Sequence, residues 1–126
     1  MDKPPKIVIK GLQTFNEGDF YTAHECFEDA WREMESDTRE FFRALLHLSG
    51  GYFRLTQDRP SAAKKFFRRA LYWMHKFPSP YLGIKTDEII SHAEGLIAAI
   101  DNGQPSTVIL EESALHILIH DQEPSA

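Results

Sequence analysis

The sequence predicts an all-α fold, a compact bundle of about five helices with helical-hairpin packing and a C-terminal tail. Over most of the chain, apolar residues recur at the three- and four-residue spacing of amphipathic helices. Prolines, glycines and small polar residues interrupt this pattern at short intervals, which is typical of helices joined by short links. We therefore expect a helical bundle domain over residues 1–104 and a C-terminal extension over residues 105–126.

Three helices are predicted in the first half of the chain. The first follows two prolines and ends near Gly18, and Asp19 then caps a second helix that runs to about Met34. A third helix begins at the polar stretch 36–38. Apolar residues cover most of its circumference, so it should lie at the centre of the bundle. Its remaining stripe is polar: Arg43, His47 and Arg54.

Two further helices are predicted in the second half. Pro60 begins the fourth, which ends before the prolines at 78 and 80. Thr86 and Asp87 signal the start of the fifth, and Asn102 with Gly103 closes it. The fourth helix carries a run of cations that is typical of a solvated face: Lys64, Lys65, Arg68 and Arg69.

The C-terminal extension has a different pattern. Residues 107–110 and 115–120 are short runs rich in β-branched side chains. Such runs favour extended strands. We therefore expect an extended or short-strand tail, which could also serve as an arm for a homo-oligomer.

The second and fourth helices share a pattern at an offset of 40 residues. Small and aromatic side chains at this spacing allow two helices to approach closely. The matching positions are Ala23, Phe27 and Ala30 in one helix and Ala63, Phe67 and Ala70 in the other. The second helix also resembles that of a tetratricopeptide repeat, but the period of about 34 residues is missing, so we expect hairpin packing without a solenoid.

Composition excludes several classes of protein. A formal net charge of −5 argues against a general nucleic-acid binder, which needs a basic face. The single cysteine, Cys26, excludes an internal disulfide and is consistent with a reducing compartment. No segment approaches the length of apolar chain that a bilayer requires. We expect a soluble cytoplasmic protein with neither nucleic-acid nor membrane partners.

The second helix places ionisable and aromatic side chains on one side. His24, Glu28 and Trp31 fall on its predicted core side, with Glu25 at the edge. An unpaired buried imidazole or carboxylate costs on the order of a few kcal/mol. Each of these groups must therefore find a partner, a water, a metal or a ligand.

Three functions are compatible with this arrangement. The first is a non-catalytic module that binds a protein or a small molecule in a polar pocket between the second and third helices. We favour this non-catalytic function over an enzymatic one. The ligand-binding residues would then be His24, Glu25, Glu28, Trp31 and His47.

The second function is a metal-dependent hydrolase. The segment His24–Glu25–x–x–Glu28 resembles the zinc-protease pattern, with Glu28 in place of the second histidine. His24 and Glu28 could hold a divalent transition metal together with His47, and Glu25 would activate water. His92 is a weaker candidate for the third metal ligand.

In the third hypothesis the motif is purely structural and ties the second helix to its neighbours.

The chain also resembles a known family, the small all-helical domain-of-unknown-function family numbered 309. That family carries His-Glu-x-Trp-Glu-x-x-Trp after a Gly-x-Phe/Tyr-Tyr-x-Ala lead-in, and here the two segments are 24–31 and 18–23. The likeness covers roughly residues 12 to 77. Phe27 replaces the first tryptophan of the family, and His47 stands where the family has glutamine. The resemblance implies a compact helical fold with the motif residues gathered near the second helix, and no established activity.

Overall fold

A computed structural model describes residues 3–112 and 115–117 of the chain. This part contains six helices and no strand, which confirms the predicted all-helical class. The helices are α1 (Lys6–Asn16), α2 (Phe20–Glu33), α3 (Arg39–Thr56), α4 (Pro60–Met74), α5 (Thr86–Asp101) and α6 (Ser106–Glu112). None of the helices in the described part combines the length and the hydropathy that a bilayer crossing requires.

Helix α3 lies at the centre, as its apolar circumference predicts. It packs against α2 on one side and α4 on the other, while α1 packs on α2 and α5 on α4. Phe41, Leu45 and Leu48 on α3 are completely buried, and they join α1, α2, α4 and α5 into one core. Arg43 on the polar stripe of α3 contacts Trp31 of α2 and Trp73 of α4, so this part of the stripe faces the space between those two helices.

Three of the links between helices are tight turns of one kind. After α1, α3 and α5 the chain passes through a residue with positive φ: Gly18 at 87°, Asp58 at 56° and Gly103 at 75°. The next backbone N–H then bonds to a carbonyl five residues earlier, the pattern of a Schellman motif. Asp19 caps α2 as predicted, since its carboxylate accepts a hydrogen bond from the Thr22 N–H at 3.1 Å.

Two glycines let the helices of each hairpin approach closely. A Cβ atom at Gly11 on α1 would lie 2.6 Å from Cε1 of Phe27 on α2. A Cβ atom at Gly51 on α3 would lie 2.6 Å from Cδ1 of Phe67 on α4. Because a side chain at either glycine would collide with a buried ring, these two contacts set the spacing within the hairpins.

The start of α5 differs in detail from the prediction. The helix begins at Thr86 itself, whose hydroxyl donates to the Pro78 carbonyl at 3.1 Å. The Asp87 carboxylate accepts hydrogen bonds from the Ser79 hydroxyl at 2.7 Å and from the Glu88 N–H at 3.0 Å. Both residues thus fasten the preceding loop to the first turn of the helix.

The predicted strand at residues 107–110 is wrong, because these residues lie in α6. The helix buries Ile109 against the bundle, where it contacts α3 and α5. The Ser106 hydroxyl donates to the Asp58 carboxylate at 2.9 Å and anchors its first turn. Burial of one apolar face therefore outweighs the β propensity of the branched side chains.

The residues after α6 lie against α1 where the structure describes them. Ile117 is buried, and the Asn16 side chain binds both of its backbone polar groups, with distances of 2.8 Å and 2.9 Å. Residues 115–117 have no regular secondary structure. The rest of the predicted stretch, 118–120, lies outside the described residues.

Candidate functional site

The bundle covers the predicted motif on α2 fully or in part, with the exception of Glu25. Phe27 is completely buried, and the side chains of His24 and Glu28 are each 31% exposed. Trp31 is half-buried, whereas Glu25 is exposed. His24 and Trp31 line the seam between α2 and α3, where they lie beside Gly50 and Arg43 of α3. Glu28 is half-buried next to His24, and Glu25 lies outside the seam.

His24 and Glu28 lie one helical turn apart but interact weakly. His24 Nδ1 is 4.0 Å from a Glu28 oxygen, which is too long for a hydrogen bond. The other Glu28 oxygen accepts a hydrogen bond from Arg32 at 2.7 Å. Burial lowers the pKa of His24, an effect that Glu28 and Glu25 partly oppose. His24 is therefore a neutral imidazole at physiological pH.

His47 on α3 is the most perturbed titratable group of the seam. Burial, together with the positive charges of Arg69 and Arg43, lowers its pKa to about 4. Its Nδ1 atom is buried and has no hydrogen-bond partner among the described residues. At neutral pH this histidine is uncharged, and one of its two ring nitrogens is unsatisfied.

Trp31 forms the other end of the seam, in a stack of arginines and indoles. The guanidinium carbon of Arg43 lies 4.9 Å from the Trp31 ring centroid and 4.5 Å from that of Trp73 on α4. Arg39 lies over Trp31 at 4.7 Å. Trp31 Nε1 is buried without a partner in the described part of the chain. The two indoles therefore clamp Arg43 between α2 and α4.

Sequence reasoning missed this clamp. Arg39 and Arg43 are spaced one turn apart, which places them on one face of α3, but nothing in the pattern shows that Trp73 approaches the same face. That proximity follows from the packing of α4 on α3.

The donors predicted to hold a metal are not assembled. Among residues 3–112 and 115–117, no three His, Cys, Asp or Glu side chains are grouped so that they could hold an ion. His24 lies over Gly50, with its Cδ2 atom 3.6 Å from where a Cβ would stand. The weaker candidate, His92, is on α5 and bonds through Nε2 to the Tyr52 hydroxyl at 2.7 Å.

Comparison with known proteins bears on the same segment. The family described as "Domain of unknown function (DUF309)" has a model that matches residues 8–66. The chain resembles the DUF309 family. The DUF309 match extends from α1 into α4 and includes all five predicted site residues.

One relative extends beyond the DUF309 match. It is an uncharacterized protein from Aquifex aeolicus (strain VF5), 27% identical over 106 residues, which are 83% of this chain and 32% of the relative. The chain thus spans about a third of the length of that curated relative. Neither comparison supplies an activity.

Proposed function

We propose that this chain is a non-catalytic binding domain and that its ligand occupies the polar seam between α2 and α3. The observation that carries the proposal is the buried Nδ1 of His47, which has no partner among the described residues. An unsatisfied buried polar atom costs roughly 1–3 kcal/mol. A ligand that reached this nitrogen would recover that free energy, as would one that accepted a hydrogen bond from Trp31 Nε1.

The charges around the seam favour a small-molecule or peptide ligand over a metal ion. Glu28 is paired with Arg32, and Glu40 is paired with Arg43 at 3.0 Å. The positive charges of Arg43 and Arg69 reach His47, since both lower its pKa. A field that opposes protonation of an imidazole also opposes a divalent cation beside it. The metal-dependent hydrolase is therefore the weaker of the two hypotheses.

A neutral His47 suits a ligand that carries both donors and acceptors, because its ring nitrogens can offer one of each. Trp31 adds a donor only. A polar small molecule or a peptide segment of a partner protein has this chemistry.

The purely structural reading also has support. The Glu28–Arg32 pair and the arginines on Trp31 already give these side chains partners within the fold. If the motif only held the helices together, its replacement would change stability and nothing else.

Native purification distinguishes the two readings. The untagged chain and three of its variants are purified from cells. The variants are His47→Gln, Trp31→Phe and the exposed control His75→Gln. Trp31→Phe keeps an aromatic ring and removes only the N–H donor. Co-purifying small molecules and proteins are then measured by mass spectrometry, and folding by circular dichroism.

We expect one bound species that is retained by His75→Gln and lost by both seam variants while their folds persist. Retention of that species in both seam variants would contradict the proposal. So would the absence of any bound species from every form, which would leave the structural reading.

A further inference from the structure

A concave site lies at the first turns of α4, and its lining residues all fall within 59–69. It is a cavity of 460 Å³, within the range typical of small-molecule pockets. The half-buried ring of Phe66 forms its apolar floor, with Pro60 and Ala62 beside it. Arg59, Lys65 and Arg69 line the rest, and no acidic side chain does.

The cations of this cavity are not neutralised. No carboxylate of the described residues lies within ion-pair distance of Arg59, Lys65 or Arg69. By contrast, the neighbouring Lys64 is paired with Asp101 of α5. The sequence contains no Asp or Glu between Asp58 and Asp87. The cavity is therefore a positive concave surface in a chain of net negative charge.

The Phe66 floor of the cavity also contacts two arginines, of which Arg69 lines the cavity. The guanidinium carbon of Arg69 lies 5.9 Å from the Phe66 centroid, and that of Arg54 lies 5.7 Å from it. Arg54 is fixed further by a hydrogen bond to Gln57 at 2.8 Å. Guanidinium groups held against a ring keep their N–H donors free for planar oxyanions.

We propose that this cavity binds a small organic anion, whose phosphate or carboxylate group contacts Arg59, Lys65 and Arg69 and whose apolar part lies on Phe66. The cavity adjoins the α2–α3 seam, because the Phe66 ring lies 6.0 Å from the His47 ring. Its lining residues all lie within 59–69, and the proposal does not depend on the function proposed for the seam. A small ligand fits better than a long polyanion, because α2 and α5 carry acidic side chains that would repel an extended negative chain.

Titration with matched probes tests this site at low ionic strength. The probes are phenyl phosphate, phthalate, inorganic phosphate and the uncharged phenol, followed by backbone amide NMR of the full chain. We expect phenyl phosphate, phthalate or both to shift the amides of residues 59–69 and to bind more tightly than inorganic phosphate. Phenol should cause no such shifts. The preferred probe identifies the oxyanion.

Neighbouring arginines provide the control. Arg69→Gln should weaken binding of the preferred probe about tenfold, because it removes one charged hydrogen-bonding partner. Arg68→Gln removes the same charge from the next residue, which does not line the cavity, and should change the affinity less than about twofold. Phe66→Leu should reduce the preference for the ring-bearing probe over inorganic phosphate.

Three results would overturn the proposal. One is the absence of shifts at residues 59–69 with every anionic probe. Another is an equal loss of affinity in Arg68→Gln and Arg69→Gln, since α4 would then attract anions by net charge alone. The third is tighter binding of an oligonucleotide or a polyglutamate peptide than of any small anion, which would identify α4 as a surface for macromolecules.

Discussion

The hairpins α1–α2 and α3–α4 have the same internal packing and opposite outer charge. Gly11 lies under Phe27 in the first hairpin, and 40 residues later Gly51 lies under Phe67 in the second. The turn repeats at the same offset: the N–H of Asp19 bonds to the Thr14 carbonyl, and that of Arg59 bonds to the Arg54 carbonyl, each at 2.9 Å.

The outer faces of α2 and α4 differ at the matching positions. Two exposed acidic residues of α2 are replaced by exposed cations in α4, Glu25 by Lys65 and Asp29 by Arg69, and the half-buried Glu28 is replaced by Arg68. Small and aromatic side chains therefore fix how a hairpin packs, while its solvent face is free to acquire another charge.

Removal of the buried ring from each hairpin should have the largest effect on the free energy of unfolding. It tests whether the two hairpins are equally important to the core. Phe27→Ala and Phe67→Ala each remove a completely buried ring and should lower the free energy of unfolding by about 3–5 kcal/mol. Urea denaturation measures both. A loss in one variant that is several times the loss in the other would break the equivalence of the hairpins.

A smaller effect tests the close approach itself. Gly11→Ala and Gly51→Ala should each cost about 1–3 kcal/mol, because the new methyl group meets a buried ring that has little room to move. Gly95→Ala on α5 is the control, since no atom lies within 4 Å of the added Cβ. It should be neutral or stabilise the helix by up to about 1 kcal/mol. If all three variants behave alike, the glycines do not set the spacing.

A pH titration tests the burial of His47, which lies on the polar stripe of α3 where the two hairpins meet. The pKa of His47 is about 4 in the folded chain and near 6.5 when unfolded, so the unfolded state takes up the proton first. The contribution of neutral His47 to the free energy of unfolding should be fully present above pH 6.5. It should decrease toward pH 4, by about 1–2 kcal/mol after allowance for solvent screening.

The variant His47→Gln isolates this contribution. Thermal denaturation should show a flatter dependence on pH between 5 and 6.5 in that variant, whereas the exposed control His75→Gln keeps the full slope. The lowered pKa of His24 adds a residual slope of the same sign. An unchanged slope in His47→Gln would show that its imidazole is not buried as the structure indicates.

The smallest effect concerns the helix caps, where the hairpins differ at equivalent positions. Asp19 accepts a hydrogen bond from the Thr22 N–H, but Arg59 makes no capping hydrogen bond. Asp19→Ala should therefore lower the Tm by roughly 3 °C, and Arg59→Ala should leave it unchanged. Differential scanning calorimetry resolves this difference. Equal shifts would mean that the cap does not stabilise α2.

The candidate site could be predicted only in part. The helical period places His24, Glu28 and Trp31 on the core side of α2, and all three are half-buried. The same period left Glu25 at the edge, where it is exposed. The Arg43 clamp could not be predicted, because it needs Trp73 from a helix whose rotation about α3 is a matter of packing.

The cavity at the first turns of α4 could also be predicted only in part. The sequence shows the run of cations in α4, and such a run predicts a solvated face. Only the placement of Phe66 beside Arg54 and Arg69 distinguishes the cations that enclose a concave surface from those, such as Lys64, that pair with a neighbouring helix.

Local patterns in the sequence determined the helices, their turns and the central place of α3, because periodicity, caps and glycines act within a few residues. Tertiary structure alone decided that residues 107–110 form a helix, that His47 is buried without charge, and which cations remain unpaired. Those outcomes depend on surfaces brought together from distant parts of the chain, where the burial of area and the loss of water outweigh local preference.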